Sequence, residues 1–182
     1  MNIHTIILAG GKGTRMLSQK AKVLQALGGR TMLNHVMTAA NKISNKISVV
    51  VGFDKEGVEE EIKKIGINAD TFLQKEQIGT ADAVKTTLKD IDKNEKILIL
   101  YGDVPLIKEE TLKKLCNQES DLSILTTNLE NPTGYGRTLK DKENNVFGII
   151  EEKDADLEQK KIKEIFTGIL VAKGSVLKKY IP

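Results

Sequence analysis

Residues Ile3 to Met16 read IHTIILAGGKGTRM, an apolar run that stops on a glycine-rich loop carrying two cations. The β-branched run from Ile3 to Leu8 predicts a strand buried on both faces. Behind it, Gly10, Gly11 and Gly13 can adopt backbone angles closed to other residues, so amide N–H groups can approach phosphate oxygens unobstructed. Lys12 and Arg15 add positive charge. A glycine turn with two solvated cations is the plain alternative, but this loop follows strand one directly, at the sheet edge where open α/β folds bind ligands. It is not a P-loop, because no Gly-Lys-Ser/Thr opens the next helix. Nor is it a dinucleotide fingerprint, because GGKGTR has a basic residue where the third glycine belongs. A nucleoside triphosphate is the ligand this loop suits.

Outward from the loop, short β-rich runs alternate with amphipathic segments. Strands are predicted over Ile3–Leu8, Ile47–Val51, Asp70–Leu73, Ile97–Tyr101 and Leu122–Thr127, and helices over Met32–Ile43, Lys55–Ile65, Thr80–Ile91 and Glu109–Cys116. The fold class is α/β: Rossmann-like, a mostly parallel mixed sheet with helices on both faces. From Asn128 the texture changes. NPTGYGR is turn-rich, Val146–Glu151 and Ile165–Ala172 predict two more strands, and Asp154–Lys163 predicts a charged helix between them. This second half reads as a C-terminal insertion that extends the sheet and walls a pocket. GSVLKKYIP reads as a helix that stops after little more than two turns, as if something once followed.

With 182 residues, 40% of them hydrophobic, the chain suffices for one core but not two ordinary domains. Lys+Arg of 28 against Asp+Glu of 25 leaves +3 without a basic block, and 4% aromatics with no Trp leaves few stacking platforms, so no nucleic-acid partner is indicated. No apolar run reaches membrane-spanning length and no signal sequence opens the chain, so a cytoplasmic protein is expected. Cys116 reads as a small buried hydrophobe, and His4 and His35 match no motif.

Taken in order, LAGGKGTRM, KVL at Lys22–Leu24, QIGTADA at Gln77–Ala83, LYGDVPLI at Leu100–Ile107, NPTGYGR at Asn131–Arg137, GIIEEKDA at Gly148–Ala155 and TGI at Thr167–Ile169 resemble the nucleoside-diphosphate-sugar pyrophosphorylases. The subfamily they are most similar to is the uridylyltransferases acting on N-acetylglucosamine 1-phosphate. The resemblance implies one nucleotidyltransferase domain, with a nucleotide-binding half at 1–127 and a sugar-binding half at 128–182. It implies UTP and a hexosamine 1-phosphate as partners and Mg²⁺ as cofactor, with no oligomeric state assigned.

Residue by residue, the resemblance implies that Arg15, Lys12 and Lys22 neutralise the triphosphate and that Asp103 holds the metal. Asp103 could otherwise be a turn aspartate before Pro105, and Lys22 alone a surface cation. Leu8, Ala9, Gly10, Gly11, Gly13 and Thr14 fall on the nucleotide loop, and Gln74, Gly79 and Thr80 on the uracil contacts. Tyr101, Gly102, Gly136, Glu151, Phe166 and Thr167 fall on sugar contacts, although Gly136 could be a simple turn glycine and Glu151 one exposed acid among several.

Three departures stand out. Phe166 occupies the place of an Asn, Asp82 that of a His, and Ala21 that of a Pro. The family's second metal-holding residue, an Asn, would lie beyond Pro182, and no hexapeptide-repeat domain is encoded. Two rival readings follow: a nucleotidyltransferase of the same fold with another sugar or nucleotide, and a shortened domain that binds without turnover.

Overall fold

The computed structural model describes residues 2–13, 18 and 20–181. In chain order the strands and α-helices are β1 (Ile3–Leu8), β2 (Ala26–Leu27), β3 (Arg30–Thr31), α1 (Met32–Asn41), β4 (Lys46–Val51), α2 (Lys55–Ile65), β5 (Asp70–Leu73), α3 (Thr80–Lys85), β6 (Lys96–Tyr101), α4 (Glu109–Cys116), β7 (Leu122–Asn128), β8 (Arg137–Lys140), β9 (Val146–Ile150), β10 (Glu164–Lys173) and α5 (Gly174–Tyr180). They form two compact units, one of residues 1–123 with 170–182 and one of residues 124–169.

In the first unit β5, β4, β1 and β6 run parallel in that order, and Leu170–Lys173 of β10 pair antiparallel with Ile99–Lys96 of β6. Side chains alternate across the sheet. Ile6, Val50, Ile97 and Ile99 pack with Ala83 and Val84 of α3, Ile91, and Leu177 of α5. The alternate residues Ile7, Val49, Leu98 and Leu100 are fully buried too, as are Leu33, Val36 and Met37 of α1, Val58 of α2 and Leu112 of α4. Burying each such side chain contributes about 1.5–3 kcal/mol, and β6 accordingly reads as an unbroken apolar run from Ile97 to Leu100. Cys116 is part of this interior, and burial raises its thiol pKa to about 11. No helix among the described residues is long and apolar enough to cross a membrane.

In the second unit β8 and β9 form an antiparallel hairpin, and Ile165 of β10 pairs with Arg137 of β8. Arg137 is buried, bonded through Nη1 to the Tyr135 carbonyl and through Nη2 to Glu152 Oε2 at 2.6 Å. Glu152 also accepts the Gly134 amide at 3.2 Å, and these two donors hold its carboxyl below the usual range, Arg137 more strongly.

Local structure departs from the sequence expectation at four places. The helix expected over Thr80–Ile91 ends at Lys85, with a 3₁₀ turn at Leu88–Asp90. The Thr86 and Thr87 hydroxyls donate to the carbonyls of Ala83 and Val84, each at 2.7 Å, and compete with helical bonding there. The helix expected over Asp154–Lys163 is absent, leaving one 3₁₀ turn at Gln159–Lys161. Asp156 and Gln159 close that turn on each other, Gln159 N to Asp156 Oδ1 at 2.8 Å and Asp156 N to Gln159 Oε1 at 2.9 Å. Gly28 and Gly29, at φ 58° and 82°, turn a two-residue hairpin between β2 and β3. The turn-rich NPTGYGR ends inside a strand, β8.

Candidate active site

The carboxyl ends of the parallel strands are tied together one residue past each strand. Ala9 N donates to Val50 O at 2.8 Å, Gly102 N to Leu8 O at 2.9 Å, and Gln74 N to Val51 O at 2.8 Å. Above them opens a cavity of about 360 Å³ lined by Leu8, Gly10, Gly11, Gly13, Lys22, Val23, Gln74, Gln77, Gly79, Thr80, Ala83, Tyr101 and Asp103. That volume lies within the range of small-molecule sites. Ten of the residues predicted from sequence are thus brought to one place.

Lys22 enters this cavity through two local features. Ala21, at φ −54° and ψ 143°, has the backbone that a proline there would favour, and its N–H donates to Asp54 Oδ2 at 3.0 Å. That bond, impossible for proline, fixes the turn by another means. Gly13, at φ 63°, lies so close that a β-carbon on it would stand 2.6 Å from Lys22 Cβ. Lys22 Nζ then reaches Asp103 Oδ2 at 2.6 Å. Their side chains are 40% and 27% exposed, and a pair so open to water adds at most about 1 kcal/mol to stability. Its chemical value is a cation and a carboxylate presented together in a concave site.

Gln74 is 5% exposed, and its Nε2 donates to Gly79 O at 3.0 Å and to Asp82 Oδ2 at 2.9 Å. Two acceptors on one side fix which end of the amide is nitrogen. Oε1 is left on the side of Gly10, 3.3 Å from where a β-carbon there would stand.

Other predicted residues lie elsewhere. Ala9 is buried beneath the cavity, Gly102 takes part in the strand tie, and Lys12 Nζ stands 5.3 Å from the centre of the Phe53 ring. Thr14 and Arg15 fall outside the described residues. In the second unit a β-carbon on Gly136 would stand 3.5 Å from Glu151 Oε1, and Phe166 N donates to Gly136 O at 3.0 Å, so three of the residues predicted for sugar are neighbours. Thr167 Oγ1 donates to Leu125 O at 2.7 Å. Sequence reasoning missed Val23, Gln77 and Ala83 as cavity residues although all three stand inside quoted motifs, and it missed the Arg137–Glu152 pair, for which no local pattern exists.

Residues 5–148 match the MobA-like NTP transferase domain. The chain belongs to that family. It is a nucleotidyltransferase domain on this ground. Over 182 residues it is 45% identical to the bifunctional protein GlmU of Ruthia magnifica subsp. Calyptogena magnifica, covering 99% of this chain and 40% of that protein. Over 185 residues it is 44% identical to the bifunctional protein GlmU of Francisella tularensis subsp. novicida, covering 100% of this chain and 40% of that protein. The chain thus spans about 40% of the length of the curated relatives it matches. Two solved structures share the fold. A putative glucose-1-phosphate thymidylyltransferase from Bacillus anthracis in complex with a sucrose gives a TM-score of 0.77 at 18% identity, over 97% of this chain and 73% of that one. A UDP-glucose pyrophosphorylase complexed with UDP-glucose gives 0.79 at 14% identity, over 98% and 78%.

Among the described residues no group of three or more His, Cys, Asp or Glu could hold a metal ion. One carboxylate, Asp103, faces the cavity. This suits Mg²⁺, which commonly takes one or two carboxylates and completes its shell with substrate phosphates and water.

Proposed function

We propose that this chain transfers a uridylyl group from UTP to N-acetylglucosamine 1-phosphate, forming the UDP-sugar and releasing pyrophosphate. The observation that supports it most is the convergence of a side-chain-free glycine loop, the Lys22–Asp103 pair and an oriented Gln74 on one cavity. The identity to two bifunctional GlmU proteins supports nucleotidyl transfer to a sugar phosphate, and the choice of N-acetylglucosamine and uracil rests on the resemblance of the ordered motifs.

In this reading Gly10, Gly11 and Gly13 admit the triphosphate against the backbone, and Lys22 offsets its charge. Asp103 would hold Mg²⁺, which supplies charge neutralisation at the phosphates. Gln74 Oε1 accepts the N3–H of uracil. The sugar phosphate has a second pKa of about 6 and is mostly dianionic near neutral pH, so no general base is required of the protein. One phosphate oxygen attacks the α-phosphorus in line, the new P–O bond forms, and the α–β bridging bond breaks with its electron pair leaving on pyrophosphate. Lys12 and Arg15 are assigned to that developing charge by sequence position. Gly136 and Glu151 are assigned to the sugar.

Phe166 favours a second reading with the same chemistry, in which the sugar is not an N-acetylhexosamine, because its ring offers no polar contact. Pyrophosphate release, measured with UTP, Mg²⁺ and a panel of sugar 1-phosphates, tests both readings. Release with N-acetylglucosamine 1-phosphate is expected. Release only with another sugar supports the second reading, and none with any sugar contradicts both.

A further inference from the structure

We infer that Asp82 is a positioning residue for nucleobase selection, fixing the Gln74 amide so that a carbonyl oxygen, not an amino group, faces the base. The inference rests on the proposed uridylyl transfer. Asp82 is absent from the cavity lining, whereas Gln74 is part of it. An unrestrained glutamine amide can present either end, and would then accept from uracil N3–H or donate to cytosine N3 with similar ease. Here Nε2 is held by Asp82 Oδ2 at 2.9 Å and by Gly79 O at 3.0 Å, so both of its protons are engaged. The bond to a carboxylate is charge-assisted and the stronger of the two in kind. Only the acceptor end remains for a ligand. A base with a ring N–H beside its carbonyls, such as uracil or thymine, fits it. Cytosine would set its N3 lone pair against Oε1.

Gln74 is nearly fully buried, and Asp82 sits in the first turn of α3, directly after the Gly79 carbonyl that shares the amide. The same carboxylate therefore ties the start of the helix to the strand-end glutamine.

The test compares UTP and CTP on the full chain with Mg²⁺, by titration calorimetry and by steady-state kinetics, for the unmodified protein, Asp82→Ala and Asp82→Asn. Asp82→Ala is expected to lower the UTP-to-CTP affinity ratio by about tenfold, with the change in KM and little in kcat. Asp82→Asn keeps an acceptor oxygen for Nε2 and is expected to restore most of the ratio. Circular dichroism checks the fold, and Asp82→Ser replaces the alanine variant if that one unfolds. An unchanged ratio in Asp82→Ala or Asp82→Ser, or equal losses in the alanine and asparagine variants, overturns the inference while leaving uridylyl transfer standing. No preference for UTP over CTP in the unmodified chain overturns both.

Discussion

The two units handle polar groups in opposite ways. In the first, Asp103 and Gln74 just past the ends of strands, and Lys22 on a 3₁₀ turn, stand around open volume. In the second, the largest buried polar side chain, Arg137, is bonded to Glu152 and to a backbone carbonyl, and Thr167 to another. Paired side chains that line a cavity are available to a ligand, whereas a buried guanidinium bonded to a carboxylate and a backbone carbonyl holds a turn in shape. The nucleotide half of the reaction is accordingly assigned on converging geometry, and the sugar half on three neighbours, Gly136, Glu151 and Phe166, of which only Glu151 can hydrogen-bond through its side chain.

The largest effect is expected in the first unit. Asp103→Asn should lower metal-dependent transfer by about 100-fold or more with little change in the thermal midpoint, since the pair it breaks is only half-buried. Rates as a function of Mg²⁺, together with a melting curve, check this. In the second unit the expected sign is reversed: Arg137→Met should reduce stability by about 2 kcal/mol, leaving Glu152 and the Gly134 turn without their cation, while UTP affinity is unchanged. Urea titration and calorimetry read the two quantities, and a loss of UTP binding in a folded Arg137→Met would break the division of labour.

Phe166→Asn sharpens the comparison. If an N-acetylhexosamine lies against this residue, an amide there recovers about 1–3 kcal/mol of lost hydrogen bonding, or about tenfold to a hundredfold in apparent sugar-phosphate affinity at saturating UTP. Unchanged affinity would leave Phe166 to the packing of the second unit alone.

The smallest effect comes from the far end of β1. His4 is buried, with Nε2 2.7 Å from Ser48 Oγ and Nδ1 3.6 Å from Glu95 Oε2. Burial chiefly, and Lys46 next, depress its pKa, against the opposing pull of Glu95 and Asp90. The neutral ring is thus the folded form. Its contribution is complete above the unfolded value of about 6.5 and is lost as pH falls below it toward the lower folded value. Thermal midpoints taken between about pH 8 and about pH 5 should decline below about 6.5, and His4→Gln should flatten that limb.

Much of the first unit was legible because its signals are local. Ile3–Leu8, Lys55–Ile65, Asp70–Leu73 and Glu109–Cys116 match the expected spans, each a run whose apolar spacing alone specifies its state. Thr86 and Thr87 hid the end of α3, because their hydroxyls act on carbonyls that an apolar pattern does not register. The hairpin at Gly28–Gly29 was signalled by its glycines but has strands of only two residues. In the site, the glycines, Lys22 and Asp103 were readable from ordered motifs and Gln74 from the family resemblance, whereas the bond from Gln74 to Asp82 and the burial of Arg137 depend on how separate segments meet.

The central claim is that the cavity at the strand ends of the first unit holds the nucleotide. Amide chemical-shift mapping of the ¹⁵N-labelled chain, titrated with UTP and Mg²⁺, tests it directly. The largest shifts are predicted at Gly10, Gly11, Gly13, Gln74, Gly79, Thr80 and Asp103. Saturable binding whose shifts leave these amides unmoved and fall instead on β8 and β9 would contradict the claim.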